Sequence, residues 1–228
     1  MEIKRLEAEK VIILGGSLAI SDTVLEALEA EGLEVERIYG KSRTDTAVEI
    51  AKRLTPAGTD QVIVVSGWDF PDALSVASHA ALNELPILLT HSTKLSEPTA
   101  DALVELGVTE TFVIGGSLAV GEEVLAELPN PERISGSNRI ETNIAVQEHF
   151  DSDTNHLYVA TGNDFADSLT GAVLAAKNNS SILLVRNTLT DVTKTYLKEN
   201  KIKGLTLFGG TLAISEEIEA ELEKTLKE

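Results

Sequence analysis

The sequence predicts an α/β protein built from repeated three-layer units with mainly parallel sheets. Three observations predict it: apolar, largely β-branched runs alternate with amphipathic stretches, the core is aliphatic, and a set of motifs recurs after about ninety-five residues. Aromatics make up 4% of the 228 residues against 43% hydrophobic. That composition suits parallel strands, which helices cover on both faces.

Taken in order, strands are expected at Val11–Leu14, Val35–Ile38, Val62–Val65, Ile87–Leu89, Thr111–Ile114, Arg133–Ile134, Leu157–Ala160, Ile182–Val185 and Leu205–Phe208. Each is too short for a core helix. Helices are expected to begin near Ser21, Arg43, Asp72, Ser96, Gly121, Arg139, Asp167, Leu189 and Ser215. Ser21 and Ser215 read as N-caps followed by an acidic first turn. Ser96 precedes Glu97 and Pro98, and proline in a first turn loses no hydrogen bond. Strand and helix in strict alternation imply right-handed parallel crossovers. Connections are short; Thr55–Asp60 and Phe150–Asn155 are the longer turns, and neither reads as an interdomain linker.

The Gly-Gly block occurs three times, at Val11–Ile20, Thr111–Val120 and Leu205–Ile214. An R-x-x-G-x-x-R-x-x-T block occurs at Arg37–Thr46 and Arg133–Thr142. A G-x-D-F-x-D block occurs at Gly67–Ser75 and Gly162–Thr170. Shared order and spacing establish a duplication. The expected division is a partial unit at 1–36, a first complete repeat at 37–131 and a second at 132–228.

Thirty-seven acidic residues oppose nineteen basic ones, a formal charge of −18. Such a surface repels phosphate backbones and anionic membranes, so neither nucleic acid nor membrane insertion is expected. With no cysteine, disulfides and thiol chemistry are excluded. No apolar run has the length of a signal peptide or a membrane span. The chain therefore reads as cytoplasmic, or as a module whose export signal lies elsewhere.

The glycine pairs Gly15–Gly16, Gly115–Gly116 and Gly209–Gly210 follow strands and precede helices. They read either as structural turns or as ligand-facing backbone able to cradle an anion. Asp72 and Asp167 fall at helix starts as capping residues, with Asp69 and Asp164 three positions earlier in the same loops. Arg43 and Arg139 begin helices, the unfavourable end for a cation. A fixed partner is expected: Arg43 with Asp72 and Arg139 with Asp167, or alternatively an anionic ligand. Trp68, replaced by Asn163 in the second repeat, is a candidate for stacking on a sugar or anchoring a protein contact. Arg37 and Arg133 are weaker candidates. No histidine recurs between repeats and no G-x-S-x-G is present, so no metal centre, general base or serine nucleophile is expected.

These blocks together resemble the cell wall binding repeat 2 family of tandem modules in bacterial and some archaeal surface proteins. The resemblance covers nearly the whole chain and rests on Arg37–Thr46, Arg133–Thr142, Gly67–Ser75, Gly162–Thr170 and the Gly-Gly-Ser/Thr-Leu-Ala segments. It implies Rossmann-like or Toprim-like units, commonly three in tandem with pseudo-threefold symmetry, and no cofactor. It also implies non-covalent anchoring of an exported protein to anionic cell-wall polymer, at the cell surface. Arg43, Arg139, the three glycine pairs and Trp68 are then the candidate polymer contacts, with Asp69, Asp72, Asp164 and Asp167 locking the loops. Two departures stand out in the second repeat: Asn143 where the first has Ala47, and Ala166 where it has Pro71. Two other functions are weighed: a self-assembling surface scaffold, and a Mg²⁺-dependent enzyme using Asp69 and Asp72 on a phosphorylated or polymeric substrate.

Overall fold

The fold, a computed structural model, is described for residues 2–150 and 155–227. A short helix α1 (Glu2–Arg5) leads into β1 (Lys10–Leu14), α2 (Asp22–Ala30) and β2 (Glu34–Ile38). The first full repeat continues with α3 (Arg43–Leu54), β3 (Gln61–Ser66), α4 (Pro71–Leu82), β4 (Ile87–Thr90), α5 (Glu97–Glu105), β5 (Glu110–Ile114) and α6 (Glu122–Glu127). The second contains β6 (Pro131–Ile134), α7 (Arg139–Phe150), β7 (His156–Thr161), α8 (Ala166–Lys177), β8 (Ile182–Val185), α9 (Asp191–Glu199), β9 (Gly204–Leu207) and α10 (Glu216–Lys227). The alternation expected from sequence is present, with element ends displaced by a residue or two. Sequence reading missed α1. Of the expected turn Phe150–Asn155, residues 151–154 lie outside the described residues.

Every strand pairing is parallel. The sheet orders are β1-β2, β4-β3-β5-β6 and β8-β7-β9. Although β6 opens the second repeat in sequence, it extends the sheet of the first by pairing with β5. In the same way β2, which runs into the first R-x-x-G motif, pairs with the preceding strand β1. Each R-x-x-G strand thus ties its repeat to the one before.

Side-chain alternation divides each core into two layers. In the first repeat Val62, Val64, Leu88 and Val113 pack towards α3, α5 and α6, with Val48, Leu103 and Val124 opposite. Ile63, Val65, Phe112 and Ile114 face the other way, onto Val76 of α4 and Val146 of α7. The second repeat repeats the plan, with Leu157, Val159 and Leu183 towards α9 and α10. Its opposite face sets Ala160, Ile182 and Leu184 against α7 and α8, with Ala77 of α4 alongside. Helices α4 and α7 therefore pack across the repeat boundary.

The Ala47-to-Asn143 departure has a structural cause. Strand β8 is a sheet edge, and an edge strand leaves ladder groups unpaired. The Ile182 carbonyl accepts from Asn143 Nδ2 at 3.0 Å and from Gln147 Nε2 at 2.7 Å. The Leu184 N–H donates to Asn143 Oδ1 at 2.9 Å, and the Ile182 N–H donates to Ser78 Oγ of α4 at 3.3 Å. Side chains from two helices thus act as a substitute strand. The first repeat has Ala47 and Ala51 at the matching positions, and beside β4 it leaves an apolar groove of about 320 Å³ lined by Ile50, Leu54, Ala81 and Ile87.

Replacing Asn143 by Ala leaves the buried Leu184 N–H without a partner. The expected loss is about 1 to 3 kcal/mol, read as a lower urea midpoint with an unchanged slope. An unaltered midpoint would show that the edge is satisfied in another way.

Candidate functional site

Parallel strands deliver their loops to one edge of each sheet. At the carboxyl ends of β1, β5 and β9 lie the Gly-Gly turns, and at the ends of β3 and β7 lie the G-x-D-F-x-D loops. Arginines fix four of these five loops. Arg37 Nη1 donates to the carbonyls of Gly15 and Ile20, both at 2.8 Å. Arg133 Nη1 donates to the Gly115 carbonyl at 2.8 Å. Each also meets the first acidic residue of the following helix, Asp22 or Glu122, at 3.1 Å. Sequence reading ranked Arg37 and Arg133 low, yet they hold the Gly-Gly turns; their recurrence beside a glycine pair in the adjacent strand was the available signal.

The expected Arg43–Asp72 and Arg139–Asp167 pairs do not form. Arg43 Nη1 donates to the Gly67 carbonyl at 2.6 Å, and Arg139 Nη1 donates to the Gly162 carbonyl at 2.8 Å. Arg139 also reaches back across the repeat boundary, placing Nη2 3.7 Å from Asp69 and its guanidinium 5.9 Å from the centre of the Phe70 ring. Phe70 meets Phe165 edge-on at 5.7 Å. The two G-x-D-F-x-D loops therefore converge, which motif spacing within one repeat does not disclose.

Nor do Asp72 and Asp167 cap their helices. Phe70 and Phe165 occupy the N-cap positions, without side-chain cap bonds. Asp69 and Asp164 instead accept from the N–H groups of Phe70 and Phe165, at 2.9 and 2.6 Å. The Asp72 carboxylate packs against Gly115, and that of Asp167 against Gly209, so closely that a Cβ on either glycine would overlap it. Both glycines also have positive φ, 111° and 103°, which a side chain disfavours. Burial pushes the Asp72 carboxyl up to about 6; the Asp69 charge acts in the same direction and Arg139 against it.

The R-x-x-G-x-x-R-x-x-T block is explained residue by residue. Its threonines, Thr46 and Thr142, accept from the N–H groups of Gly40 and Gly136 at 3.0 and 3.1 Å. A Cβ on Gly40 or Gly136 would collide with Asp45 or Glu141. The motif positions loops; its second arginine stays at the surface, Arg43 more openly than Arg139, whereas Arg37 and Arg133 are largely covered.

Arg43, Gly15 and Gly16 come together, with Leu18, Tyr39 and Ser42, around a cleft of about 630 Å³. The Arg43 guanidinium also lies 5.3 Å from the centre of the Trp68 indole. Gly116 and Gly210 have nothing within 4 Å of where a Cβ would stand. The leucine two residues beyond each glycine pair is almost wholly exposed: Leu18 105%, Leu118 95% and Leu212 105%. Among the described residues no group of histidines and acids has a metal-holding arrangement. His79 is interior, its imidazole pushed down to about 4 by burial, opposed by its hydrogen bond to Gln147.

Residues 37–125 and 133–219 each match the family model of cell wall binding domain 2. The chain is 31% identical over 221 residues to the N-acetylmuramoyl-L-alanine amidase LytC of Bacillus subtilis, covering 96% of this chain and 44% of that protein. It is 32% identical over 225 residues to the amidase enhancer of the same organism, covering 97% of this chain and 30% of the relative. Among solved structures, Cwp8 from Clostridium difficile superposes with a TM-score of 0.83 at 27% identity, over 98% of this chain and 39% of that one. Cwp6 from the same organism gives 0.81 at 28%, over 92% and 35%. The chain spans less than half the length of each of these proteins.

The environment of Asp72 makes a pH prediction. Its folded pKa, about 6, exceeds the ordinary value of 3.8. Between these values the folded state holds a proton that the unfolded chain has released, so stability falls as pH rises through that window. Asp72→Asn is expected to flatten this dependence and to stabilise the protein near pH 7 by roughly 1 to 3 kcal/mol. Parallel denaturation curves from pH 4 to 7 check it; identical slopes in both proteins would refute it.

Proposed function

The chain belongs to the cell wall binding domain 2 family, and from that membership we propose that it is a non-catalytic anchor holding an exported protein to an anionic cell-wall polymer. The observation that carries the reading is the array of strand-end loops on one face. There, Gly116 and Gly210 have open space where a Cβ would stand, and Arg43 borders an open cleft beside Gly15 and Gly16. Open glycine turns and a guanidinium suit acidic groups. Candidate contacts are Arg43, Arg139, Trp68 and the three glycine pairs, with Asp69, Asp72, Asp164 and Asp167 shaping the loops. The repeats at 37–131 and 132–228 are read as Toprim-like units, with 1–36 as part of another. A similar segment occurs in an amidase and in an amidase enhancer, which fits a carrier role separate from chemistry.

A second reading, contact with another repeat of this kind or with a second copy, is favoured by the exposed apolar face of α8. Phe165, Leu169, Val173 and Leu174 are each about half exposed there. Mass measured across a range of concentrations tests it: a constant monomer mass removes self-association.

For anchoring, saturable co-sedimentation with isolated wall polymer is expected at both low and high salt. Its absence under both conditions would remove the reading. Arg43→Ala is expected to weaken binding by about 1.5 to 3 kcal/mol, roughly ten- to a hundredfold, and to lower thermal stability by a smaller amount through the freed Gly67 carbonyl; circular dichroism confirms that the variant folds.

A further inference from the structure

The repeats share a backbone but differ at one point of the loop face. In the first, Trp68 and His91 stack with ring centres 3.4 Å apart and planes 24° apart. With Leu118 they wall a concavity of about 340 Å³, to which Ser66, Asp69 and Ser92 add polar atoms. Trp68 is 51% exposed and Leu118 95%. Ninety-five residues on, Trp68, His91 and Ser92 become Asn163, Arg186 and Asn187. Asn163 Nδ2 donates to Asn187 Oδ1 at 3.0 Å, and Arg186 Nε donates to Asn163 Oδ1 at 2.9 Å. An aromatic wall in one repeat is thus a hydrogen-bonded polar cluster in the other.

We infer that the Trp68–His91–Leu118 concavity is a subsite for an uncharged, N-acetylated pyranose of the wall glycan, and that the second repeat lacks it. This rests on the wall-polymer reading above. A pyranose offers apolar C–H surface to aromatic rings and hydroxyl donors to oxygen acceptors. The concavity supplies both, since Ser66, Ser92 and Asp69 all carry acceptor oxygens. A volume of this order belongs to small-molecule sites. Leu118 gives an acetyl methyl an apolar neighbour. The Asp69 carboxylate in the wall disfavours an acidic ligand here, and Arg43 does not line the concavity. A lone carboxylate beside two serines does not make a cation site, and polar oxygens within a molecule of charge −18 do not suit a lipid surface.

Trp68 is the only tryptophan in the chain, so indole emission reports on this concavity alone. Methyl N-acetyl-β-D-glucosaminide is expected to shift that emission saturably, while inorganic phosphate at equal concentration does not. His91→Ala should raise the half-saturation at least about fivefold, whereas Arg186→Ala should leave it unchanged; circular dichroism confirms that both variants fold. Emission that ignores the sugar, or an unchanged half-saturation in His91→Ala, overturns the subsite. The same titration with isolated wall polymer separates the two claims. Wall binding with silent emission, and with undiminished affinity in Trp68→Ala, overturns the subsite and leaves anchoring intact. A response to the sugar without any wall binding supports the subsite and removes the anchoring.

Discussion

The structure depends above all on guanidinium groups set against glycine carbonyls where parallel strands end. Once a strand turns away from its sheet, its last carbonyls lose their ladder partners. Arg37, Arg43, Arg133 and Arg139 take up four such loops, at Gly15, Gly67, Gly115 and Gly162. Charge-assisted bonds of this kind are stronger than neutral ones, and here they hold the glycine-containing turns at the strand ends. The two arginines of each motif act on different loops. The first grips the Gly-Gly turn of the preceding unit and the second grips the G-x-D-F turn of its own, so a single motif joins consecutive repeats.

That division of labour shapes what the loop face offers a ligand. A guanidinium fixed by one carbonyl keeps its other N–H groups in a set direction, which lowers the ordering cost of binding. The surroundings of the two equivalent arginines nevertheless differ. Arg139 is bordered by Asp69 and Phe70 of the preceding repeat, whereas Arg43 has Trp68 beside it and no carboxylate within ion-pair distance among the described residues. Duplication has kept the frame while the surface chemistry of the copies diverged. A polymer crossing this face would meet different groups at each step.

The cross-repeat contacts also make the two copies cooperate in stability. Ser78 of α4 accepts from the Ile182 N–H at the edge of β8, and Val146 and Ala77 join cores largely built by the neighbouring repeat. Asp72 lies where these elements meet, buried and beside a like charge. Its neutral form is the comfortable one. Burial is the main cause, with the Asp69 charge assisting and Arg139 opposing.

By itself the sequence determined the alternation of elements, the parallel sheets, the duplication and the family, because periodicity and motif order are local properties of the chain. It also located the loops that form the candidate face, since glycine pairs and short strands mark them in order. The partners of the side chains were decided only in three dimensions. Arg43 and Arg139 chose glycine carbonyls over the expected aspartates, Asp72 and Asp167 packed on Gly115 and Gly209 rather than capping, and Asn143 became the substitute for a strand. A repeat specifies where a residue stands within its own unit. Which neighbouring unit supplies the group opposite depends on how the units dock, and that is fixed by packing between residues far apart in sequence.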